Sequence, residues 1–301
     1  MAVALSVVVV AHDMNRELPR TLRSLRADYQ RGVEPDEYEL IVVDNGSPAP
    51  INEESVAGAG VRSRVARLDD APASPARAVN LGIELAEGEL IGLLVDGARI
   101  ASPGLLAHAL LASRLAERPL IATLGWHLGP DTHMASGESG YDQAAEDSLL
   151  AESGWVQDGY RLFAISSLAG SSRRGWLGPL GESNALFMTR RMWDELGGAD
   201  ESFSLPGGGL ANHDLYHRAC ELDRSRLIVL LGEGTFHQIH GGASTSRRVS
   251  RSEARAEYER LRGHPYSPPT KEPLYLGHMP GDAIGHVDYS VRWRIRRERG
   301  D

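Results

Sequence analysis

Hydrophobic runs that stop abruptly at polar residues recur through the first third of the chain. Apolar runs occupy 3–11, which is rich in β-branched residues, 38–43 and 90–95, and a weaker alternation occupies 61–68. Continuous apolar runs of this length are typical of strands that are buried on both faces of a sheet. We therefore predict four strands in this part of the chain.

Amphipathic segments separate these strands. Three leucines and a tyrosine recur at helical spacing within residues 15–29. Another helix opens with Ser74 as N-cap and Pro75 at its first position, and it stops at Gly88. Crossover helices of this kind join parallel strands. The order of elements predicts an α/β fold with a mostly parallel, Rossmann-like central sheet flanked by helices.

The second half of the chain continues with fewer clear elements. A strand is predicted over 119–129, a strand that runs into a helix over 184–198, and a helix that opens near Asn212. A further strand starts at 226 and leads towards a pair of histidines. Residues 130–182 are rich in Gly, Ser, Trp and acidic residues, which is typical of binding loops or lids.

The tail from 243 onwards differs in composition from the rest. It holds a surface-helix pattern, a Pro-rich stretch and a strongly basic end, "VRWRIRRERG". A basic terminal helix can contact a membrane surface or an acidic partner, and a solvated helix face has the same composition. We expect a helical or irregular C-terminal extension over 243–301.

The composition narrows the class of protein. The 301 residues carry a net charge of −9, which argues against a nucleic-acid-binding protein because such proteins usually have a basic surplus. Cys220 is the single cysteine, which excludes an internal disulfide and fits a reducing compartment. The apolar runs are too short to span a bilayer. We expect a cytoplasmic protein with no transmembrane segment and no nucleic-acid partner, and peripheral contact with the inner face of the membrane remains an alternative.

Polar side chains follow three of the predicted strands, where each strand ends. His12 and Asp13 follow the first strand, Asp44 and Asn45 the second, and Asp96 the run that ends at residue 95. In doubly wound sheets, ligands bind beyond the carboxyl ends of the strands. The repeated pattern favours a pocket for a nucleotide or a sugar phosphate.

Several longer motifs occur in a characteristic order. They are "VVVVAHDMNRELPRTLRSL", "IVVDNGS", "ARAVNLGIELAEGELIGLLVDGA", "ESNALFMTRRMWDELGGADESF", "GGGLANHDLYHRA" and "GTFHQIHGG". Over residues 4–242 the chain resembles the inverting family 2 glycosyltransferases, which have the GT-A fold, a Rossmann-like fold of nucleotide-diphospho-sugar transferases. The resemblance implies a bacterial hexosyltransferase that moves a sugar from a nucleoside diphosphate to an acceptor hydroxyl.

The resemblance also implies how the chain is organised. Residues 1–129 would form the nucleotide-sugar-binding half, and 130–242 the acceptor-binding and catalytic half of the same GT-A domain. The acceptor, which could be a glycan, a glycolipid or a small molecule, and the oligomeric state are left open.

Donor-binding residues are carried over position by position. Asp44 would accept hydrogen bonds from the nucleobase, which suits the edge of uracil or thymine and hence a UDP- or dTDP-sugar. Asn80 matches the asparagine of the family's "A-x-N-x-G" segment, in which Gly82 allows close packing. Arg77 could meet a phosphate or remain solvated. The remaining donor-binding candidates follow strand ends: His12, Asp13, Asn45, Gly46, Ser47, Asp96 and Arg99.

The expected metal site departs from the family pattern. Asp96 matches the first acid of the metal-binding triplet, but the second acid is replaced by Ala98. A divalent cation, Mn²⁺ or Mg²⁺, neutralises the pyrophosphate leaving group in such enzymes. His237 or His240 could complete the ligand set, or Arg99 could neutralise the phosphates and make the metal dispensable.

The expected catalytic base departs as well. Inverting transfer needs a carboxylate to take the proton of the acceptor hydroxyl. The family carries an "E-D" pair at the start of a helix, and this chain has Ala211 and Asn212 there. Asp214 is the predicted base or acceptor-orienting residue, and His213 is the substitute. The alternative reading is a catalytically silent GT-A domain that binds a nucleotide or a glycan.

Overall fold

The computed structural model describes residues 3–133, 140–240 and 249–299. The expected boundary between the catalytic half and the C-terminal extension, at 242/243, lies outside the described residues. The last two glycines of "GTFHQIHGG" lie outside them as well.

The first part of the chain alternates strands and helices as predicted. The strands end within one or two residues of the expected positions, because their apolar runs are flanked by polar or turn residues. The elements are β1 (Leu5–Ala11), α1 (Leu18–Ser24), β2 (Tyr38–Asp44), α2 (Glu53–Ala57), β3 (Arg62–Arg67), α3 (Ala76–Leu85) and β4 (Leu90–Leu94).

The rest of the chain adds six strands and six helices to the described structure. Short 3-10 helices lie between them at Gly159–Ile165, Gly170–Ser172, Pro206–Gly208 and Gly281–Ala283. The regular elements are β5 (Arg99–Ala101), α4 (Leu105–Ala112), β6 (Pro119–Leu128), α5 (Gln143–Ser153), β7 (Ser166–Leu168), β8 (Ala185–Thr189), α6 (Arg190–Leu196), α7 (Ala211–Glu221), β9 (Arg226–His237), α8 (Arg251–Arg262), β10 (Leu274–Gly277) and α9 (Gly285–Arg299).

These strands form a mixed sheet in the order β10-β9-β6-β8-β4-β1-β2-β3. The pairs β1–β2, β1–β4, β2–β3, β6–β9 and β9–β10 are parallel, which confirms the predicted α/β fold with a mostly parallel sheet. β8 runs antiparallel between β4 and β6. The short strands β5 and β7 pair antiparallel with β9 and β6.

Alternate residues of the central strands enter two apolar clusters, one on each face of the sheet. In β1, Val8 and Val10 belong to one cluster, and Val7 and Val9 to the other. On the first face, α3 packs so closely on β1 that a Cβ atom at Gly82 would lie 2.2 Å from Cγ1 of Val8. The expectation that Gly82 permits close packing is confirmed.

The first helix is shorter than its pattern suggested. α1 ends at Ser24, and the side chain of Gln30 folds back to donate to the main-chain oxygen of Ser24 at 2.7 Å. Leu25 and Tyr29 are nevertheless buried. The helical spacing of apolar residues therefore continues through a series of turns, because those side chains still have to reach the core.

The C-terminal extension contributes to the sheet. β10 pairs parallel with β9, so the expectation of a purely helical or irregular extension needs correction. The basic end forms α9, in which Arg292 pairs with Asp288, and Arg294 pairs with Glu272. Across the described residues, no helix combines the length and the apolar character needed to cross a membrane.

Candidate functional site

A cavity of about 800 Å³ opens beyond the carboxyl ends of β1, β2 and β4. Residues from the start of α7 and the end of β9 close its other side. This is the edge of the sheet at which ligands of doubly wound folds bind. Of the sequence-predicted site residues, the cavity is lined by His12, Asp13, Asn45, Gly46, Asp96, Arg99, His213, His237 and His240.

The turns after β1 and β2 hold each other in place. Nδ1 of His12 donates to the main-chain oxygen of Asn45 at 2.9 Å. The main-chain N–H of Asp13 donates to Oγ of Ser47 at 3.0 Å, and Asp13 has a positive φ of 53°. Ser47 thus supports the wall of the cavity from behind.

Asp44 is occupied by its own surroundings. Its carboxylate accepts hydrogen bonds from the main chain of Ser47 at 2.8 Å and from the guanidinium of Arg67 at 2.5 Å. The side chain is fully buried and is outside the set of described residues that line the cavity. Burial opposes ionisation, but these hydrogen bonds hold the pKa of Asp44 below its usual value. The carboxylate of Asp44 therefore stabilises the turn after β2 and does not face the cavity in which a nucleobase would bind.

The next residue, Asn45, faces the cavity instead. Its side-chain Nδ2 donates to the main-chain oxygen of Pro72 at 3.3 Å. Its Oδ1 is buried and has no hydrogen-bond partner within the described parts of the chain. A buried acceptor without a partner costs about 1–3 kcal/mol, so its presence at a cavity wall suggests that a ligand donor completes it.

Two of the residues that were predicted to bind the nucleotide-sugar donor lie outside the cavity lining. Arg77 is exposed in the first turn of α3, in line with the solvated alternative. Asn80 clamps the segment after α6: its Oδ1 accepts from the main-chain N–H of Ala199 at 2.8 Å, and its Nδ2 donates to Glu201 at 2.8 Å. Both ends of its amide are paired with this segment, so Asn80 joins α3 to it and is not among the described residues that line the cavity.

Asp96 lines the cavity just beyond the end of β4. Its Oδ1 accepts from the main-chain N–H of Ala98 and its Oδ2 from Nε of Arg99, each at 3.0 Å. Nη1 of Arg99 is buried and unpaired among the described residues. The side chain of Ala98 is packed in the apolar core, so an acid at that position would have to leave the core to reach the cavity.

The sheet register brings a histidine cluster to the same place. His237 at the end of β9 pairs with Arg99 of β5 on one side and with His127 of β6 on the other. Its Nε2 lies 3.5 Å from Oδ2 of Asp96 and 2.9 Å from Nε2 of His240. Ligand atoms of Asp96, His237 and His240 lie within 4.8 Å of one another, so these residues could hold a metal ion.

A second group of the same kind consists of His127, His133 and His237. Burial lowers the pKa of His127 to about 2 and that of His133 to about 4, and it holds the pKa of His237 well below 6.5. The imidazoles are therefore neutral at pH 7, which is the form that binds metals. Sequence reasoning did not single out His127 or His133, because their proximity to His237 arises from strand pairing and from the turn after β6.

Asp214 lies outside the cavity lining, in an ion-pair network. It is 1% exposed and is bound by Arg262 at 2.5 and 2.7 Å and by Arg218 at 2.8 Å. Arg262 also pairs with Asp200 at 2.7 Å. Guanidinium groups thus occupy both oxygens of this carboxylate, and neither oxygen faces the cavity in the described structure. The geometry thus favours a structural role for Asp214 in α7 over the predicted role as base.

Glu182, which sequence reasoning missed, contributes a carboxylate to the cavity next to α7. Its Oε2 accepts from Nδ2 of Asn212 at 2.5 Å and lies 3.5 Å from Nδ1 of His213. Burial opposes its ionisation, but His213 and the hydrogen bond from Asn212 lower the pKa of Glu182 below its usual value. The sequence offered one signal for such a residue. The family has an acid at the position of Asn212, so its replacement here indicated that another segment supplies the carboxylate.

The chain thus forms an α/β protein with a polar, histidine-rich cavity at the carboxyl edge of its sheet. Residues 6–97 match the model of the family described as glycosyl transferase family 2. This first third of the chain is therefore similar to family 2 glycosyltransferases, and the solved structures described next share the GT-A fold of the chain. The match covers β1 to β4 and thus includes Asp96.

Solved structures support the same fold. A crystal structure of a part of S. aureus TarS in complex with UDP-GlcNAc superposes with a TM-score of 0.55 at 13% identity, over 85% of this chain and 66% of that one. A structure of the same part with UDP gives a TM-score of 0.51 at 12% identity, over 86% and 70%. This chain thus spans slightly less than two thirds of the first of these. A comparison with curated proteins found no match.

Proposed function

We propose that the protein is a glycosyltransferase that transfers a sugar from a UDP- or dTDP-sugar to an acceptor hydroxyl with inversion at the anomeric carbon. One observation carries this proposal. A single cavity combines an unpaired buried acceptor, Oδ1 of Asn45, with a cluster of phosphate- and metal-binding groups around Asp96. These are the two features that a nucleoside diphosphate requires.

Nucleobase recognition falls to Asn45 in this proposal. Uracil and thymine present an N–H donor between two carbonyl groups, and Oδ1 of Asn45 offers the matching acceptor. The carboxylate of Asp44 fixes the turn that carries Asn45, and Gly46 extends the same wall. The complexes of S. aureus TarS with UDP-GlcNAc and UDP lend support to a uridine nucleotide.

In this proposal the diphosphate binds beside Asp96 and Arg99. The buried guanidinium of Arg99 is held by Asp96 and keeps one nitrogen for a phosphate oxygen. The residues also fit a divalent cation, because Asp96, His237 and His240 converge and Nδ1 of His237 is buried without a partner in the described structure. Such a cation would supply positive charge to the leaving diphosphate.

A catalytically silent domain is the second candidate function. It is favoured by the replacement of family acids by Ala98 and Asn212. A silent domain would bind UDP at this cavity without cleaving any sugar donor. The convergence of Asp96, His237 and His240 favours transfer, because a cation held there would stabilise the departing diphosphate.

Donor turnover separates the two functions. The protein is incubated with Mn²⁺ and a panel of UDP-, dTDP- and GDP-sugars, and nucleotide release is followed. We expect slow hydrolysis of one or more UDP- or dTDP-sugars in the absence of an acceptor. Tight UDP binding without cleavage of any donor, with or without added hydroxyl acceptors, would instead establish the silent domain.

Contact with a membrane through the basic C-terminal helix remains a separate proposal. Three apolar residues of this region are exposed: Ile284, Tyr289 and Ile295. Against it, Arg292, Arg294 and Arg297 already pair with carboxylates. Sedimentation with vesicles of anionic lipid, compared with neutral vesicles, tests whether enough free positive charge remains.

A further inference from the structure

Glu182 stands out among the carboxylates that line the cavity. Asp96 is committed to Arg99 and His237, whereas Asp13 and Asp69 lie at the turns on the nucleobase side. Glu182 alone of these described residues lies against the start of α7, where its Oε2 contacts Asn212. It therefore occupies a part of the cavity that neither the nucleobase nor the diphosphate claims.

Glu182 is hydrogen-bonded to Asn212, and this contact indicates its role. Asn212 is the residue at which the family resemblance expects an acid, and it donates its amide to Glu182 at 2.5 Å. The missing carboxylate is thus replaced, within one hydrogen bond, by a carboxylate from the loop before β8. We propose that Glu182 is the catalytic base of the transfer, held in place by Asn212 and His213.

The environment of Glu182 suits a base. Its side chain is 17% exposed, so it is shielded from bulk water and still open to the cavity. Asn212 and His213 both approach one oxygen of Glu182, Oε2, whereas guanidinium groups hold both oxygens of Asp214. The carboxylate is therefore ionised before reaction and free to take up a proton.

The step balances without a further reagent. The acceptor oxygen attacks the anomeric carbon while its proton moves to the carboxylate of Glu182. The bond between the anomeric carbon and the phosphate oxygen breaks, and its electron pair leaves with the nucleoside diphosphate.

This inference rests on the proposed function, and the experiment keeps the two apart. Glu182→Gln removes the basic oxygen while preserving shape. The probe is the UDP- or dTDP-sugar that the unmodified protein hydrolyses fastest with Mn²⁺. We expect turnover to fall by about 10²–10⁴-fold, with UDP affinity measured by calorimetry within about threefold of the parent value. Glu152→Gln, at an exposed position of α5, is the matched control and should leave turnover unchanged.

A rescue variant provides the second arm. Asn212→Asp in the Glu182→Gln background returns an acid to the family position, and we expect it to recover turnover at least about tenfold. Turnover of Glu182→Gln within about threefold of the parent, or a loss of UDP affinity and of thermal stability equal to the loss of turnover, would overturn the assignment of Glu182 while leaving the proposed transfer intact. If the unmodified protein binds UDP and hydrolyses no donor, the proposed function itself fails.

Discussion

Oδ2 of Asp96 lies 3.5 Å from Nε2 of His237, although the two residues come from distant parts of the chain. The contact arises because β5, which follows Asp96 directly, pairs with the end of β9. A carboxylate oxygen and an imidazole nitrogen at this distance can bind the same cation after a small adjustment. His237, at the end of β9, can therefore replace the metal ligand that the family's second acid would provide at position 98.

Removal of Asp96 tests this pairing. We expect Asp96→Ala to abolish the gain in UDP affinity that Mn²⁺ provides, because the carboxylate both binds the cation and orients Arg99. Calorimetric titration of UDP, with Mn²⁺ and with EDTA, measures the effect. Asp223→Asn, at a position 84% exposed and outside the cavity, serves as the control. A full response to Mn²⁺ in Asp96→Ala would show that the cation binds elsewhere.

The donor atoms also predict which cation is preferred. Imidazole ligands favour Mn²⁺ and later transition metals over Mg²⁺, which binds oxygen. We expect half-maximal UDP binding at an Mn²⁺ concentration about tenfold below that of Mg²⁺. His237→Gln should narrow this preference, and His264→Gln, an exposed histidine far along the chain, should preserve it. Equal potency of the two cations in the unmodified protein contradicts a site with nitrogen ligands.

Most of the fold could be predicted from the sequence, because buried strands and crossover helices have recognisable local patterns of apolar residues. β1, β2 and β4 are recognisable from their apolar runs, and Gly82 from its place beside the first strand. The antiparallel insertion of β8 between β4 and β6 has no local signal, since strand order depends on pairing across the whole sheet. β10 is short and largely exposed, so its pattern resembles that of a loop.

The site was harder to predict for a similar reason. A buried carboxylate such as Asp44 can serve a ligand or its own main chain, and only the fold reveals that the turn and Arg67 use it. Asp214 resembles a base in the sequence, but α8 delivers Arg262 to it from the C-terminal extension. Glu182 reaches Asn212 through tertiary packing, which residue spacing does not encode.

Asp214→Asn distinguishes a structural residue from a base. The substitution leaves two guanidinium groups facing a neutral amide, and we expect it to lower the free energy of unfolding by about 3 kcal/mol. Denaturant titration measures this change. Donor hydrolysis per folded molecule should remain within about threefold of the parent rate, because Asp214 does not touch the cavity in the described structure. A drop of about 10²-fold or more in that rate at unchanged stability would restore Asp214 as the base.

The ion pair of Asp44 predicts a dependence of stability on pH. The pKa of Asp44 is lower in the folded protein than the value of about 3.9 in an unfolded chain. The group therefore contributes its full stabilisation above pH 4, and this contribution is lost as the pH falls through the folded pKa. We expect Asp44→Asn to lower the free energy of unfolding by about 1–3 kcal/mol at pH 7, and the gap to the parent protein to shrink below pH 4. A gap of constant size from pH 7 to pH 3 would exclude this linkage.

Recognition of the nucleobase can be tested at Asn45. Uridine offers an N–H donor to Oδ1 of Asn45, whereas cytidine presents an acceptor at the same ring position. We expect UDP to bind at least about tenfold more tightly than CDP, since a mismatch leaves buried polar atoms unpaired. Asn45→Ala should weaken UDP binding by about that factor and leave CDP binding nearly unchanged, so CDP acts as the internal control. If the variant loses affinity for both nucleotides equally, Asn45 shapes the turn and does not read the base.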